Sequence, residues 1–181
     1  MKNKIENSVN KLNLINSWIS NCDSKSSYIL TFFGVIITII FTSNVGEGMI
    51  SSLEFTSADK ITTKSFNNFL QLLLFILFLI LSSMTLYFTY LTLKARIDPK
   101  VYSQEGLVTS SNIFFGSICN KNFKDFNTEI KSESEENYLN DINSQIFINS
   151  KIANLKFKNY NLSLQYMLIT FCVFLIYIII K

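Results

Sequence analysis

The chain has 181 residues, of which 49% are apolar, 14% aromatic and only 16% charged, an unusual balance for a soluble domain. It contains no histidine, the commonest general base and metal ligand, and its three cysteines lack a metal-binding spacing. The net charge of +3 needs no nucleic-acid partner to explain it. Composition therefore argues against metal-dependent catalysis and favours a membrane protein that has no enzymatic activity and needs no cofactor or metal.

Residues 3–20 predict an amphipathic helix, because apolar side chains recur there at three- and four-residue steps. These side chains are Ile5, Val9, Leu12, Ile15 and Ile19. Asparagines and lysines fill the opposite face, and Trp18 flanks the apolar stripe. The helix either lies in the bilayer interface or packs on a later polar segment of the chain.

Three apolar runs are candidates to cross a bilayer, namely residues 28–43, 69–93 and 164–180. No charged side chain interrupts any of them. The second run is followed by Pro99, which stops a helix because it cannot continue the hydrogen-bond ladder. The sequence therefore predicts three membrane-spanning helices.

The basic residues predict the orientation in the membrane. Thirteen of the 16 lysines and arginines lie in residues 1–27 and 94–163. The positive-inside rule places both segments in the cytoplasm and the C-terminus outside. Cys22 and Cys119 then face the cytosol and Cys172 lies in a span, so free, buried thiols are expected.

The segment between the second and third spans predicts a small helical cytosolic insert. Its first apolar piece, residues 112–116, offers Gly116 as an end cap. Residues 122–130 predict a brief helix, and the glutamates at 133–136 suit the start of the next helix. From Tyr138 to Ile180 neither Gly nor Pro intervenes, which predicts one helix of about 60 Å at 1.5 Å per residue.

We therefore expect an all-α, three-span helical membrane protein whose long helix runs from the cytosol through the last span. Four parts are predicted: residues 1–27 with an amphipathic helix and an Asp/Lys motif, 28–93 with two spans and an outer loop, 94–163 as the insert, and 164–181 as the third span.

Polar side chains near the inner membrane face form the candidate ligand site. They are Trp18, Asp23, Lys25, Asn149 and Lys156. Lysines can bind a phosphate as point charges, and Asp or Asn can hydrogen-bond a base or a ribose. The structural alternative is that Asp23 pairs with Lys156 or Lys25 to tie two helices, that Asn149 fixes their register, and that Trp18 is a packing or interface residue.

The order of several short motifs resembles the transmembrane effectors of Pycsar, bacterial anti-phage systems that signal with cyclic pyrimidine mononucleotides. The motifs are Trp18-Ile-x-x-x-Asp23-x-Lys25, Pro99, Asn112-Ile-Phe-Phe-Gly116, Asp141-Ile-Asn-Ser-Gln145-Ile146, and Asn149 through Ile152 to Lys156-Phe157. Together they stretch across nearly the whole chain.

This resemblance implies an effector of abortive infection in the bacterial inner membrane. A partner cyclase would make a cyclic pyrimidine mononucleotide, and this protein would sense it and impair the lipid bilayer. A homo-oligomer is expected, since three spans are few for a pore. The rival hypothesis is a non-enzymatic structural or adaptor subunit of a membrane complex.

Overall fold

In the computed structural model, residues 1–51, 63–94, 101–102 and 104–180 are described. Within these ranges the chain forms six α-helices and no β-strand. The helices are α1 (Lys2–Thr42), α2 (Asn44–Ser51), α3 (Thr63–Lys94), α4 (Phe115–Ile118), α5 (Phe123–Ser132) and α6 (Glu135–Ile180). Pro99 lies outside the described residues.

Three of these helices are long and apolar enough to cross a membrane, which confirms the predicted three-span fold. They are α1 (Lys2–Thr42), the Asn67–Lys94 part of α3, and α6 (Glu135–Ile180). The predicted amphipathic helix and first span are one continuous helix, α1. The predicted long helix is also continuous, and its 46 residues correspond to about 69 Å.

The helices are divided between two compact units. The polar unit consists of residues 1–23 and 94–157, and the membrane unit consists of residues 24–93 and 158–181. Helices α1 and α6 contribute residues to both units. Helix α3 belongs almost wholly to the membrane unit.

The membrane unit has an apolar core at which α1, α3 and α6 meet. Its buried members are Ile40, Leu74, Phe75, Phe78, Val173 and Tyr177. The Phe78 ring lies between those of Phe41 and Phe174, with centroid distances of 6.5 and 6.1 Å. Many large apolar side chains on the outer faces of these helices stay exposed, as expected where lipid replaces protein.

Buried hydroxyl groups also join α3 to α6 in the membrane unit. The Oγ atoms of Thr89 and Ser163 lie 2.6 Å apart. One of these hydroxyls donates to the other, which in turn can donate to the Thr85 carbonyl, at 3.1 Å from Ser163 and 2.9 Å from Thr89. Small hydroxyl-bearing residues let membrane helices approach closely and bond across the interface.

The local structure at Gly116 in the insert differs from the prediction. This glycine lies inside α4, directly after its first residue, so the prediction that it caps the end of an apolar segment is wrong. The next prediction is confirmed: α5 begins after Asn122, whose side chain accepts from the Asp125 N–H at 2.9 Å. Glu135 and Glu136 occupy the first turn of α6, as expected for negative charge at a helix start.

None of the three cysteines forms a disulfide, but only one has the predicted environment. Cys22 is fully buried, whereas Cys119 and Cys172 are exposed. The expectation of three buried thiols is therefore wrong for two of them. A residue on a membrane span need not be covered by protein, because its neighbour can be lipid.

Candidate functional site

Helices α1 and α6 are parallel neighbours in the polar unit, as three side-chain contacts show. Ser8 donates to Asn143 at 3.2 Å, Asn149 donates to Asn16 at 2.8 Å, and Lys156 donates to Asp23. The partners are separated by 135, 133 and 133 residues. Because both members of each pair advance together along the chain, the two helices point the same way. We call this set of three contacts the polar seam.

The last two contacts of the polar seam are seven residues apart on each helix. This heptad spacing is typical of helices that pack side by side with a slight supercoil. In such pairs a polar contact at the interface selects one register over the others. The Asn16–Asn149 bond is exposed to solvent, and it is the contact that would fix the register if the structural alternative for Asn149 is correct.

Asp23 and Lys156 form the charged contact of the polar seam. The side chain of Lys156 is 6% exposed and that of Asp23 is 39% exposed. A buried ammonium group is costly unless it is paired and hydrogen-bonded. Of the two lysines that the sequence offered as partners of Asp23, Lys25 and Lys156, the structure pairs Asp23 with Lys156.

The other candidate residues have different environments. Trp18 lies on α1 in the polar unit with half of its surface exposed. Lys25 is exposed and belongs to the membrane unit. Trp18, Asp23, Asn149 and Lys156 all belong to the polar unit, and Asp23 and Lys156 contact each other directly.

A second polar cluster in the same unit is centred on Asn112. Its backbone N–H donates to Asp141 Oδ2 at 2.7 Å, and its Nδ2 donates to Glu133 at 3.1 Å. Its Oδ1 accepts from Lys121 at 2.6 Å, and Lys121 also pairs with Glu129 at 2.5 Å. Since a carboxylate only accepts and an ammonium only donates, these partners fix the orientation of the Asn112 amide.

These side chains border a cavity of about 320 Å³, which we call the insert cavity. Its lining comes from the segment before α4, the end of α5 and the start of α6. The lining residues are Val108, Ser110, Asn112, Glu129, Ser132, Glu133, Asn137, Asn140 and Asp141. Asp141 is 2% exposed, and its Oδ1 has no hydrogen-bond partner among the described residues.

Sequence reasoning did not place Asp141 or Asn112 in a site, although both belong to motifs that carried the family resemblance. A weak signal was available. Asp141 is an acidic residue directly before the apolar Ile142 on a helix face that is buried. A charged residue at such a position has to find a partner, and the partner here is a backbone N–H of a distant loop.

Together, these features define a small helical membrane protein in which two of three membrane-spanning helices also build a polar unit with an ion pair and a cavity. Within the described residues, no group of three or more His, Cys, Asp or Glu side chains is placed to hold a metal ion.

Comparison with known proteins assigns the family. Residues 8–181 match the PycTM family model, described as a Pycsar effector protein domain. The Pycsar effector protein GmPycTM of Gulbenkiania mobilis is 34% identical over 175 residues, which cover 94% of this chain and 89% of that protein. The chain belongs to the Pycsar effector family, as its motifs predicted. No solved structure matches it significantly.

Proposed function

We propose that this protein is an anti-phage effector that a cyclic nucleotide switches on and that then impairs the inner membrane. Family membership supports the effector role, and the three spans support its site of action. The observation that carries the activation step is the polar seam, since it joins the same two helices that continue into the membrane unit. No enzymatic step is part of the proposal.

In the proposed mechanism, the phosphate of the nucleotide competes with Asp23 for Lys156. Trp18 and Asn149 are the candidates for contacting the base or the ribose, and Lys25 is the alternative phosphate ligand offered by the sequence. Loss of the ion pair would change how α1 and α6 pack. To move a population from 1% to 99% active, the ligand must favour the active state by about 5.5 kcal/mol.

The partners of this proposal are a nucleotide cyclase, the lipid bilayer and further copies of the chain. A cyclic pyrimidine mononucleotide is the proposed messenger. Several copies are proposed to assemble in the membrane, because three spans per chain enclose little space. A gene for a nucleotide cyclase beside the gene for this chain would support the messenger, and cross-linking of the purified protein would test the assembly.

The experiment measures growth and dye entry in cells that express the chain and receive cyclic nucleotides. We expect Lys156→Ala to make growth and dye entry independent of added cyclic nucleotide, because the phosphate ligand and the ion pair are lost together. Asp23→Ala should respond at lower nucleotide concentration, because the competing carboxylate is lost. Lys11→Ala removes an exposed lysine from α1 and should behave like the parent.

Binding is measured separately on detergent-solubilised protein, as a thermal shift with cyclic CMP and cyclic UMP. If the Asp23, Lys25 and Lys156 variants all respond and bind like the parent, the proposed ligand site is wrong. If the parent protein itself binds no cyclic nucleotide and causes no arrest, the adaptor hypothesis is favoured instead.

A further inference from the structure

An apolar groove of about 220 Å³ lies in the membrane unit, with walls from α1 and α6 and a contribution from α3. Three of its lining side chains are exposed, namely Phe32 on α1 and Leu168 and Phe171 on α6. Others, such as Phe33 on α1 and Phe78 on α3, are buried. The groove therefore opens on the surface of the membrane unit, and we call it the α1–α6 groove.

The lining of the α1–α6 groove has little need of a polar ligand. Among the described lining residues Thr170 alone carries a hydroxyl, and its Oγ1 already donates to the Tyr166 carbonyl at 2.7 Å. The three helices that build the groove are apolar enough to cross a membrane, so hydrocarbon surrounds it. An empty groove would forfeit dispersion contacts on one side of its lining. A lipid acyl chain would supply them.

The size of the groove suits an acyl chain better than a protein helix. Its volume is about seven times the share of one water molecule in the liquid, which is about 30 Å³. That is room for a segment of one hydrocarbon chain. A helix is about 10–12 Å across with its side chains, so a helix of a second copy would lie on the exposed edge and would not enter.

A basic side chain lies on the same side of α1 as the groove. Lys25 is exposed and belongs to the membrane unit. The lining residues Phe32 and Ile36 follow it by seven and eleven residues. These steps are close to two and three whole turns at 3.6 residues per turn, so the three side chains share one side of α1.

The spacing along α1 also matches the depth of one lipid leaflet. The lining residues of α1 run from Phe32 to Ile40, which lie about 10 to 22 Å beyond Lys25 at 1.5 Å per residue. Half of a bilayer, with its headgroups, is about 20–22 Å deep. A lipid phosphate beside Lys25 would therefore place an acyl chain of the same molecule along the groove. Lysines near the membrane surface attract anionic headgroups.

We propose that the α1–α6 groove binds an acyl chain of an anionic phospholipid whose headgroup is held by Lys25. The apolar lining selects the hydrocarbon chain, and the ammonium group selects a headgroup with a net negative charge. This proposal concerns the choice of lipid, so it goes beyond the proposed function. Lys156, the main nucleotide ligand of that function, has no part in it.

Lys158 provides a matched control for Lys25. It is also exposed and also belongs to the membrane unit. The lining residue Met167 follows it by nine residues, which is two and a half turns, so the two side chains lie on opposite sides of α6. Lys158 therefore has the charge of Lys25 without access to the groove.

The test is photolabelling of the full chain in phosphatidylcholine vesicles without nucleotide. The vesicles carry a trace of phosphatidylglycerol or phosphatidylcholine with a diazirine in the acyl chain, and labelled peptides are identified by mass spectrometry. We expect the phosphatidylglycerol probe to label the groove lining about fivefold more, as expected for one lysine at the surface. Ile80 is exposed on α3 outside the lining and should be labelled equally by both probes.

Two pairs of variants separate the headgroup contact from the groove. Lys25→Gln should abolish the preference for phosphatidylglycerol, whereas Lys158→Gln should keep it. Ile36→Trp fills the groove and should remove most of the labelling of its lining by both probes. Val35→Trp makes the same change at an exposed position outside the lining and should leave the labelling nearly unchanged. Because Lys25 is exposed, the first pair gives an answer even if Ile36→Trp does not fold.

Equal labelling of the lining by the two probes in the parent, or a preference that survives Lys25→Gln, overturns the proposal. It is also overturned if neither probe labels the lining while a thiol cross-linker joins two copies at Phe171→Cys, in a chain without other cysteines. A second copy would then cover the groove. Lys156→Ala should leave the lipid preference unchanged, whatever it does to the response to cyclic nucleotides, so the failure of one proposal is distinguishable from the failure of the other.

Discussion

Lys156 has a full positive charge on a side chain that is 6% exposed, and Asp23 supplies a carboxylate to it. Substituting only one residue of such an ion pair is expected to destabilise the protein more than substituting both residues. The remaining charge keeps its cost of desolvation but loses the attraction that offset it. The exposure of Asp23, at 39%, reduces this effect because water can replace part of the contact.

We predict that Asp23→Asn lowers the free energy of unfolding by about 1–2 kcal/mol. This value is smaller than for a fully buried ion pair, because Asp23 is partly exposed to water. The double variant with Lys156→Met should recover most of this loss. Chemical denaturation in detergent, analysed as a double-mutant cycle, measures both. Lys11→Met is the control for removing a lysine, since Lys11 is exposed.

A loss in the double variant equal to the sum of the two single losses would contradict this interpretation. It would mean that Asp23 and Lys156 stabilise the protein independently. Either outcome is informative about activation, because the proposed ligand has to break this contact.

At the scale of elements, the parallel pair formed by α1 and α6 is the main feature of the polar unit. Its register rests on contacts with a nearly constant offset along the chain. A shift by one heptad would place Asp23 opposite Asn149 and leave Lys156 without this carboxylate. The ion pair therefore opposes such a shift, in the way that buried polar residues specify register in coiled coils.

We predict that a short thiol-reactive cross-linker joins α1 to α6 when Asn16→Cys is combined with Asn149→Cys. The side chains of these residues contact each other at 2.8 Å. Ser8→Cys with Asn149→Cys is the control. Ser8 contacts Asn143, which lies six residues, or about 9 Å along the helix axis, before Asn149. Native cysteines are first replaced, and the cross-linked product is identified by mass spectrometry.

Equal cross-linking of both pairs would contradict the fixed register. A cyclic nucleotide that changes the yield of the first pair would in addition connect the register to activation, as the proposed mechanism requires.

At the scale of the whole molecule, the proposed orientation places the N-terminus and the insert in the cytoplasm. Cys119 is exposed in the insert and provides a natural probe. In a variant with Cys172→Ser, we predict that an impermeant maleimide labels intact spheroplasts poorly and labels them well after permeabilisation. Cys22 is buried and should contribute little signal.

The control for labelling from outside is Ser57→Cys, in the connection that the positive-inside rule places beyond the membrane. It should react before permeabilisation. Labelling of Cys119 in intact spheroplasts would reverse the proposed orientation and would remove the polar seam from reach of a cytosolic messenger.

The sequence was sufficient for the spans and for the long helix, because both follow from local patterns. Uninterrupted apolar runs located the spans, and the absence of Gly and Pro after Tyr138 gave the continuity of α6. A local sequence pattern could not predict whether Lys25 or Lys156 is the partner of Asp23. It depends on the register of two helices whose contacting residues are 133 positions apart.

The insert cavity was missed for the same physical reason. Its lining comes from three separate stretches, and none of them has a recognisable ligand motif alone. Asn112 becomes informative only when its three hydrogen bonds, with Asp141, Glu133 and Lys121, are known. Periodicity reports which side of a helix is covered, but it does not report what covers it.

The direct contacts between α1 and α6 also impose an order on biogenesis. A ribosome that adds about 5–20 residues per second finishes Asp23 long before it reaches Lys156, 133 residues later. For roughly 7–27 seconds the nascent first helix lacks its natural neighbour. Newly made chains should therefore pass through a protease-sensitive stage, which ends only when the last helix has emerged and inserted.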